Sequence, residues 1–333
     1  MRSAWNPPLA VSLLVTTVAV SAAAFDPWVE PARYEIELRV ALSWAAARGA
    51  DTPRLWIPLP ADNAHQHVRS LAVAAPGSFD INRDALGNRF VYVEPRIESD
   101  PSAFVEVRCL VERSPYSLIP SSVAAPRTPL DPQRYLKPQR RIALHGPVAA
   151  RARDAAGGKH TAGERIRALY DEVVRTMRYS KRGRGWGRGD ALWACESKFG
   201  NCTDFHSLLI GMCRSQGIPA RFVIGFPLPT DGRATEITGY HCWAEIYEAD
   251  RGWIPVDASE ARKSGRFDDY FGRLPADRIE LTVGRDLVLV PAQAGPPLNF
   301  FVYPYAEVGG KPLEQVPWKL RARRLSETAH SGP

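Results

Sequence analysis

The chain has 333 residues, 45% hydrophobic and 24% charged, with 43 Lys and Arg against 36 Asp and Glu, a net charge of +7. These proportions exclude a disordered or fibrous protein, and the length favours two compact units with a large core. The basic excess is modest and comes with no aromatic-basic stripe or DNA-reading motif, which excludes nucleic acid as the expected partner.

Residues 1–24 carry Arg2, an apolar run from Leu9 to Val20 and then Ala22-Ala23-Ala24, the pattern of a cleaved signal peptide. The run is shorter than the roughly 20 apolar residues of a membrane anchor. The chain is therefore expected to be exported, periplasmic or secreted, with no transmembrane segment after signal removal. Residues 25–113 read as a small β-sandwich. From Tyr34 to Val40 the chain alternates strictly, with Ile36, Leu38 and Val40 on one face and Glu35, Glu37 and Arg39 on the other. Further apolar runs at 55–59, 90–93 and 104–111 are separated by turn residues.

Residues 114–147 form a proline-rich linker, with seven prolines between Pro115 and Pro147. Residues 148–262 form the second unit. Thr161 and Glu164 make a capping box ahead of Ile166, Leu169, Tyr170, Val173, Val174 and Met177 at helical spacing. A glycine-arginine loop follows over 181–189. A second helix is expected from Cys202 or Thr203 to Gln216, stopped by Gly217-Ile218-Pro219. Strands are expected at 221–226, 240–247 and 253–256, the last two flanking a hairpin turn. Residues 263–318 read as a β-rich extension and 319–333 as a polar, disordered tail.

Chemistry concentrates in the second unit. A helix N-terminus favours a thiolate through its partial positive charge and free N–H groups, and Cys202 sits at one. Its own backbone N–H would hold the oxyanion of an attacked carbonyl. An imidazole and a group fixing its tautomer are also needed, and His241 and Asp257 qualify. A hairpin symmetric about Ala249 would set these two opposite each other, whereas a turn centred at Arg251 would shift the partner along the strand. His241, Trp243, Glu245 and Tyr247 share one strand face, so aromatic bulk can shield the pair from water.

The stretches Gly200-Asn201-Cys202-Thr203-Asp204-Phe205-His206, Gly217-Ile218-Pro219-Ala220-Arg221, Gly239-Tyr240-His241-Cys242-Trp243-Ala244-Glu245 and Gly252-Trp253-Ile254-Pro255-Val256-Asp257-Ala258 resemble those of bacterial transglutaminase-like proteins. The resemblance covers roughly residues 160–262. It implies an α+β fold, a papain-like core of a helix packed on an antiparallel sheet, with Cys202 as nucleophile, His241 as base and Asp257 as orienter. Animal transglutaminases place an oxyanion-stabilising tryptophan upstream of the nucleophile. Trp186 and Trp193 are candidates for that role, and Trp243 for a wall of the site. The substrate expected is a protein or peptide amide, with cell-envelope material a reasonable source. No cofactor and no metal are expected.

Competing readings attach to the same residues. Cys195, Cys202, His206, His241 and Cys242 cluster as zinc ligands might, but adjacent strand residues His241 and Cys242 point to opposite faces and no CxxC pair exists. Cys195 and Cys242 are a candidate disulfide, and His206 a packing or hydrogen-bonding residue. Glu245, Glu260 and Asp204 serve equally well as caps and ion-pair partners. The alternative function is a catalytically silent envelope binding or assembly module on the same fold.

Overall fold

In the computed structural model the described residues are 25–46, 53–96, 102–117 and 131–326. The leader expected in 1–24, residues 118–130 of the expected linker and the end of the chain lie outside them. The alternation seen in the sequence becomes strand Ala32–Ala41, with Tyr34, Ile36, Leu38 and Val40 inward and the charged residues between them outward or partly exposed. It is the middle strand of a five-stranded sheet ordered Thr235–Ile237, Trp318–Leu325, Ala32–Ala41, Phe104–Arg113, Gln66–Ala74. A second five-stranded sheet runs Lys311–Pro312, Tyr305–Val308, Pro53–Leu59, Arg89–Pro95, Gly77–Arg83. Leu55, Ile57, Val91 and Val93 of this sheet join Tyr34, Val40, Val105 and Val111 of the first in one buried core. Trp56, Phe90 and Tyr92 instead pack with Leu287, Leu289 and Phe301 in a smaller one.

The chain's C-terminal part therefore completes the sandwich, and the expectation of a polar tail from residue 319 needs correcting. Strand Trp318–Leu325 pairs antiparallel with Ala32–Ala41, from Arg33 opposite Leu325 to Val40 opposite Trp318. Its burial alternates, with Leu320 and Ala322 buried between exposed Lys319, Arg321 and Arg323. Only two buried side chains, one of them small, hold the inner face. The cationic outer face dominates the local composition and hides the period-2 pattern.

The second layer is helical and packs on a four-stranded antiparallel sheet ordered Gly252–Val256, His241–Glu248, Ala220–Pro227, Arg278–Val283. Helix Ala162–Thr176 begins at the expected capping box: Glu164 N donates to Thr161 Oγ1 at 3.1 Å and Thr161 N to Glu164 Oε2 at 3.0 Å. Caps of this kind contribute about 1 kcal/mol each. Helix Cys202–Ser215 is buried on every side from Cys202 to Arg214. A helix enclosed all round is the central element of its domain, a stronger placement than the one-faced burial its spacing predicts. Arg214 near its end is satisfied by the carbonyls of Ala220 and Lys137 and by Gln139. Among the described residues no helix is long and apolar enough to cross a membrane.

Candidate active site

Cys202 opens the central helix. Asn201 is the N-cap; its Oδ1 accepts from Thr203 N at 3.0 Å, and Asp204 Oδ2 accepts from Asn201 N at 3.0 Å. This capping box uses the orphan N–H groups of Asn201 and Thr203. The Cys202 N–H is left with no hydrogen-bond partner among the described residues. Gly200 lets the turn close, because a Cβ there would lie 2.5 Å from the Asp204 Cβ. The thiol sits beside a free helix-end donor, in a site where Cys202 is 3% exposed.

His241 begins the strand next to the turn, 9% exposed, and its Nε2 lies 2.6 Å from Asp257 Oδ2. Asp257 is fully buried and caps the short helix Ala258–Ser264. Its Oδ1 accepts from Ser259 Oγ at 2.9 Å and Glu260 N at 3.0 Å; its Oδ2 also accepts from Arg278 Nη1 at 2.8 Å. An ionised carboxylate only accepts, so Nε2 must carry a proton and Nδ1 is the nitrogen free to serve the thiol. Burial pushes the Asp257 carboxyl up, but His241 and Arg278 together hold it well below the usual carboxylate range. Burial pulls His241 down, and Asp257 outweighs it, raising the imidazole to about 9. The Cys202 thiol is held well below its usual value, chiefly by a hydrogen bond from Cys242, with His241 adding to that against the cost of burial. Both shifts favour a thiolate beside an imidazolium.

The hairpin register differs from the symmetric one about Ala249. Ala244 stands opposite Val256 and Glu248 opposite Gly252, so the turn centres on Asp250. His241 and Asp257 are not cross-strand partners; Asp257 follows the strand's last residue and reaches back diagonally. The helix cap, not the ladder, aims the carboxylate.

His206, one turn along the helix, is fully buried and accepts from Ala258 N through Nε2 at 3.1 Å. That places its proton on Nδ1, 3.6 Å from Cys242 Sγ, and burial lowers its affinity for a second one. It is a neutral strut joining the helix to the segment after Asp257. Cys242 packs against Cys202 and His206, and all five cysteines are free. The expected Cys195–Cys242 bridge is thus not formed: Cys242 lies against Cys202 and His206, while the Cys195 sulfur lies 3.9 Å from Arg151 Nη1. Among the described residues no group of three or more His, Cys, Asp and Glu side chains is placed to hold a metal ion.

Trp193 packs edge-on against Phe199, and its indole fills the space a Cβ of Gly185 would take. Trp186 lies half-buried on the loop that crosses in front of Asn201. Trp243 is buried with the Arg278 guanidinium carbon 5.6 Å from its ring centre, on the Asp257 side of the site. Glu245 pairs with Arg221 at 2.6 Å. Glu260 lies 3.8 Å from His241 Nδ1 and pairs with Lys263.

Two contributors escaped the sequence reading. Tyr240 Oη accepts from Asn201 Nδ2 at 2.9 Å, and burial keeps the phenol protonated beside Cys202. It sits next to His241 in the chain, so adjacency was an available signal. Arg278 comes from a strand more than twenty residues past Asp257, and no local pattern points to it. Its strand can approach because Gly225, opposite His241 in the ladder, has no side chain; a Cβ there would lie 1.8 Å from the Ile279 carbonyl oxygen. Gly225→Ala should therefore force the Arg278–Val283 strand outward, at a cost of at least about 1–3 kcal/mol in a denaturant melt.

Residues 149–258 match the family model described as Transglutaminase-like superfamily. An uncharacterised protein of Haemophilus influenzae is 26% identical over 301 residues, covering 78% of this chain and 81% of that one. The protein YebA of Bacillus subtilis is 32% identical over 74 residues, 20% of this chain and 10% of its own. Among solved structures, a candidate cysteine protease from Cytophaga hutchinsonii superposes with a TM-score of 0.58 at 16% identity, covering 89% of this chain and 92% of that one. That last likeness is one of fold.

Proposed function

Because residues 149–258 are a domain of the transglutaminase-like superfamily, we propose that this chain is a thiol acyl-transfer enzyme acting on peptide or side-chain amides. The observation that carries the reading is the line Cys202, His241, Asp257, with the 2.6 Å contact between the last two buried and the first at a helix N-terminus. The Cys202 sulfur attacks the amide carbonyl, and the C–O π electrons move to an oxyanion that the free Cys202 N–H stabilises. When the C–N bond breaks, the imidazolium of His241 gives its Nδ1 proton to the departing amine and a thioester remains. Water or a second amine then attacks the thioester, His241 takes its proton, and thiolate beside imidazolium is restored. Hydrolysis and cross-linking share every step up to the thioester. The leader-like segment 1–24 supports a place outside the cytoplasm, where envelope peptides would be the substrates.

The test is alkylation by a neutral electrophile, followed site by site against pH. An ordinary thiol becomes reactive as pH passes about 8.5. Cys202 should instead label rapidly well below that, while the more deeply neutral Cys109, held up to about 12 by burial, stays silent. His241→Ala should move the half-point for Cys202 upward by about 1–3 pH units, the usual effect of losing one adjacent charge. Amide turnover should also fall on the alkaline side near pH 9, where His241 loses the proton it must give to the leaving amine. Slow labelling of all accessible thiols alike would favour a silent binding module.

A further inference from the structure

Resting on that reading, we infer that the enzyme selects anionic acyl donors, amides flanked by free carboxylates, through a cationic strap anchored on either side of the nucleophile. The strap is the glycine-arginine loop from Ser180 to Gly189. Its first end is tied by Ser180 N to the Gly200 carbonyl at 2.9 Å. Its second end is tied by Gly187 N and Gly189 N to the two oxygens of Asp204 at 2.7 and 2.9 Å. Gly200 and Asp204 bracket Cys202, so both anchors lie within one helical turn of the nucleophile. Between them the chain must turn closely over Trp193 and Asn201. Gly185, at φ +96°, leaves no room for a Cβ beside the Trp193 indole, and Gly187 at φ +80° keeps the same left-handed path.

Lys181, Arg182, Arg184 and Arg188 project from this strap and are exposed. None of the four forms an ion pair with a described carboxylate, and the strap contains no acidic residue. On the first sheet of the sandwich Arg33 and Arg69 share Glu112, and Arg39 and Arg108 share Glu106. Asp204 is committed to three backbone N–H groups, Asp190 to Arg141, and Glu260 to Lys263. Four unneutralised charges on a loop anchored to Gly200 and Asp204, on either side of Cys202, create a field that a carboxylate-bearing substrate meets on approach.

Two alkylating agents that differ in charge test this without needing the natural substrate. Iodoacetate and iodoacetamide react alike, the Cys202 sulfur forming a C–S bond as iodide leaves. The imidazolium of His241 attracts iodoacetate in any case, so the informative quantity is the change in the rate ratio between wild type and Arg184→Glu/Arg188→Glu, both surface positions. We expect the iodoacetate-to-iodoacetamide ratio for Cys202 to fall about tenfold or more in the variant, the lower end of electrostatic steering effects. The same ratio in wild type should fall toward the variant's value at about 1 M salt, where the Debye length is about 3 Å. The iodoacetamide rate alone should hardly change. An unchanged ratio with rapid iodoacetamide labelling overturns the strap proposal and leaves the thiol enzyme standing. Failure of iodoacetamide itself to label Cys202 in wild type overturns both.

Discussion

Cys202→Ala should reduce amide turnover to background, a loss on the order of 10⁵ to 10⁶-fold in kcat, the scale seen when a nucleophile of this type is removed. The size follows from the arrangement of the site. In the proposed mechanism every other group acts on the Cys202 sulfur or on charge that develops after it attacks: His241 as its proton store, Asp257 behind His241, and the Cys202 N–H facing the oxyanion. Removing one sulfur atom leaves these in place with nothing to activate. The fold should survive, since helix Cys202–Ser215 keeps its Asn201 and Asp204 caps and its remaining buried side chains. Ammonia release and incorporation of a labelled amine, measured side by side for wild type and variant, check the loss. They also assign the acceptor: ammonia without amine uptake means hydrolysis. Activity that persists in the alanine variant would refute the thiol mechanism.

Asp257→Asn should cost both rate and stability. Asparagine keeps the shape but removes the charge that raises His241 and makes its Nε2 a donor, and an imidazole in the wrong tautomer lowers kcat by about 10⁴-fold in triads of this kind. The alkaline limb near pH 9 should also move down, because Asp257 is the main group holding the imidazole up. Stability falls because Arg278 would lose the carboxylate that accepts from it at 2.8 Å while remaining buried. Its other acidic neighbour, Asp277, stands 3.8 Å away. Breaking a buried pair on one side costs about 3–5 kcal/mol, read as a fall in Tm on the order of 10 °C. The pH dependence has a definite sign. Asp257 is depressed in the folded state, so its contribution is present above the ordinary carboxylate value near 3.9 and is lost as pH falls through the depressed one. The gap in stability between wild type and variant should therefore be widest near neutrality and close in strong acid.

The difference in origin between these two residues explains how much of the site could be read in advance. Cys202 was legible because everything that defines it is local: an N-cap asparagine, an acidic residue three positions on, and an apolar run. The capping box at Thr161 and Glu164 and the buried face of the helix after it were legible for the same reason. Propensity and periodicity act over a few residues and need no partner. The hairpin carrying His241 and Asp257 was recognisable, but its register was not, because one residue more or less in the turn leaves the composition unchanged and moves every opposition.

By itself, then, the sequence determined an α+β protein with a thiol at a helix N-terminus, an imidazole on the following sheet and a carboxylate just beyond it. Tertiary structure alone decided that Arg278 stands behind Asp257, that Cys242 lies against Cys202 and not Cys195, and that Trp318–Leu325 closes the first sheet of the sandwich instead of trailing away. Each of these depends on contacts between segments far apart in the chain. Such contacts are selected by the shape and burial of the whole, through a glycine that admits a neighbouring strand or a ladder that pairs two chain ends, and a local pattern carries no record of its distant partner.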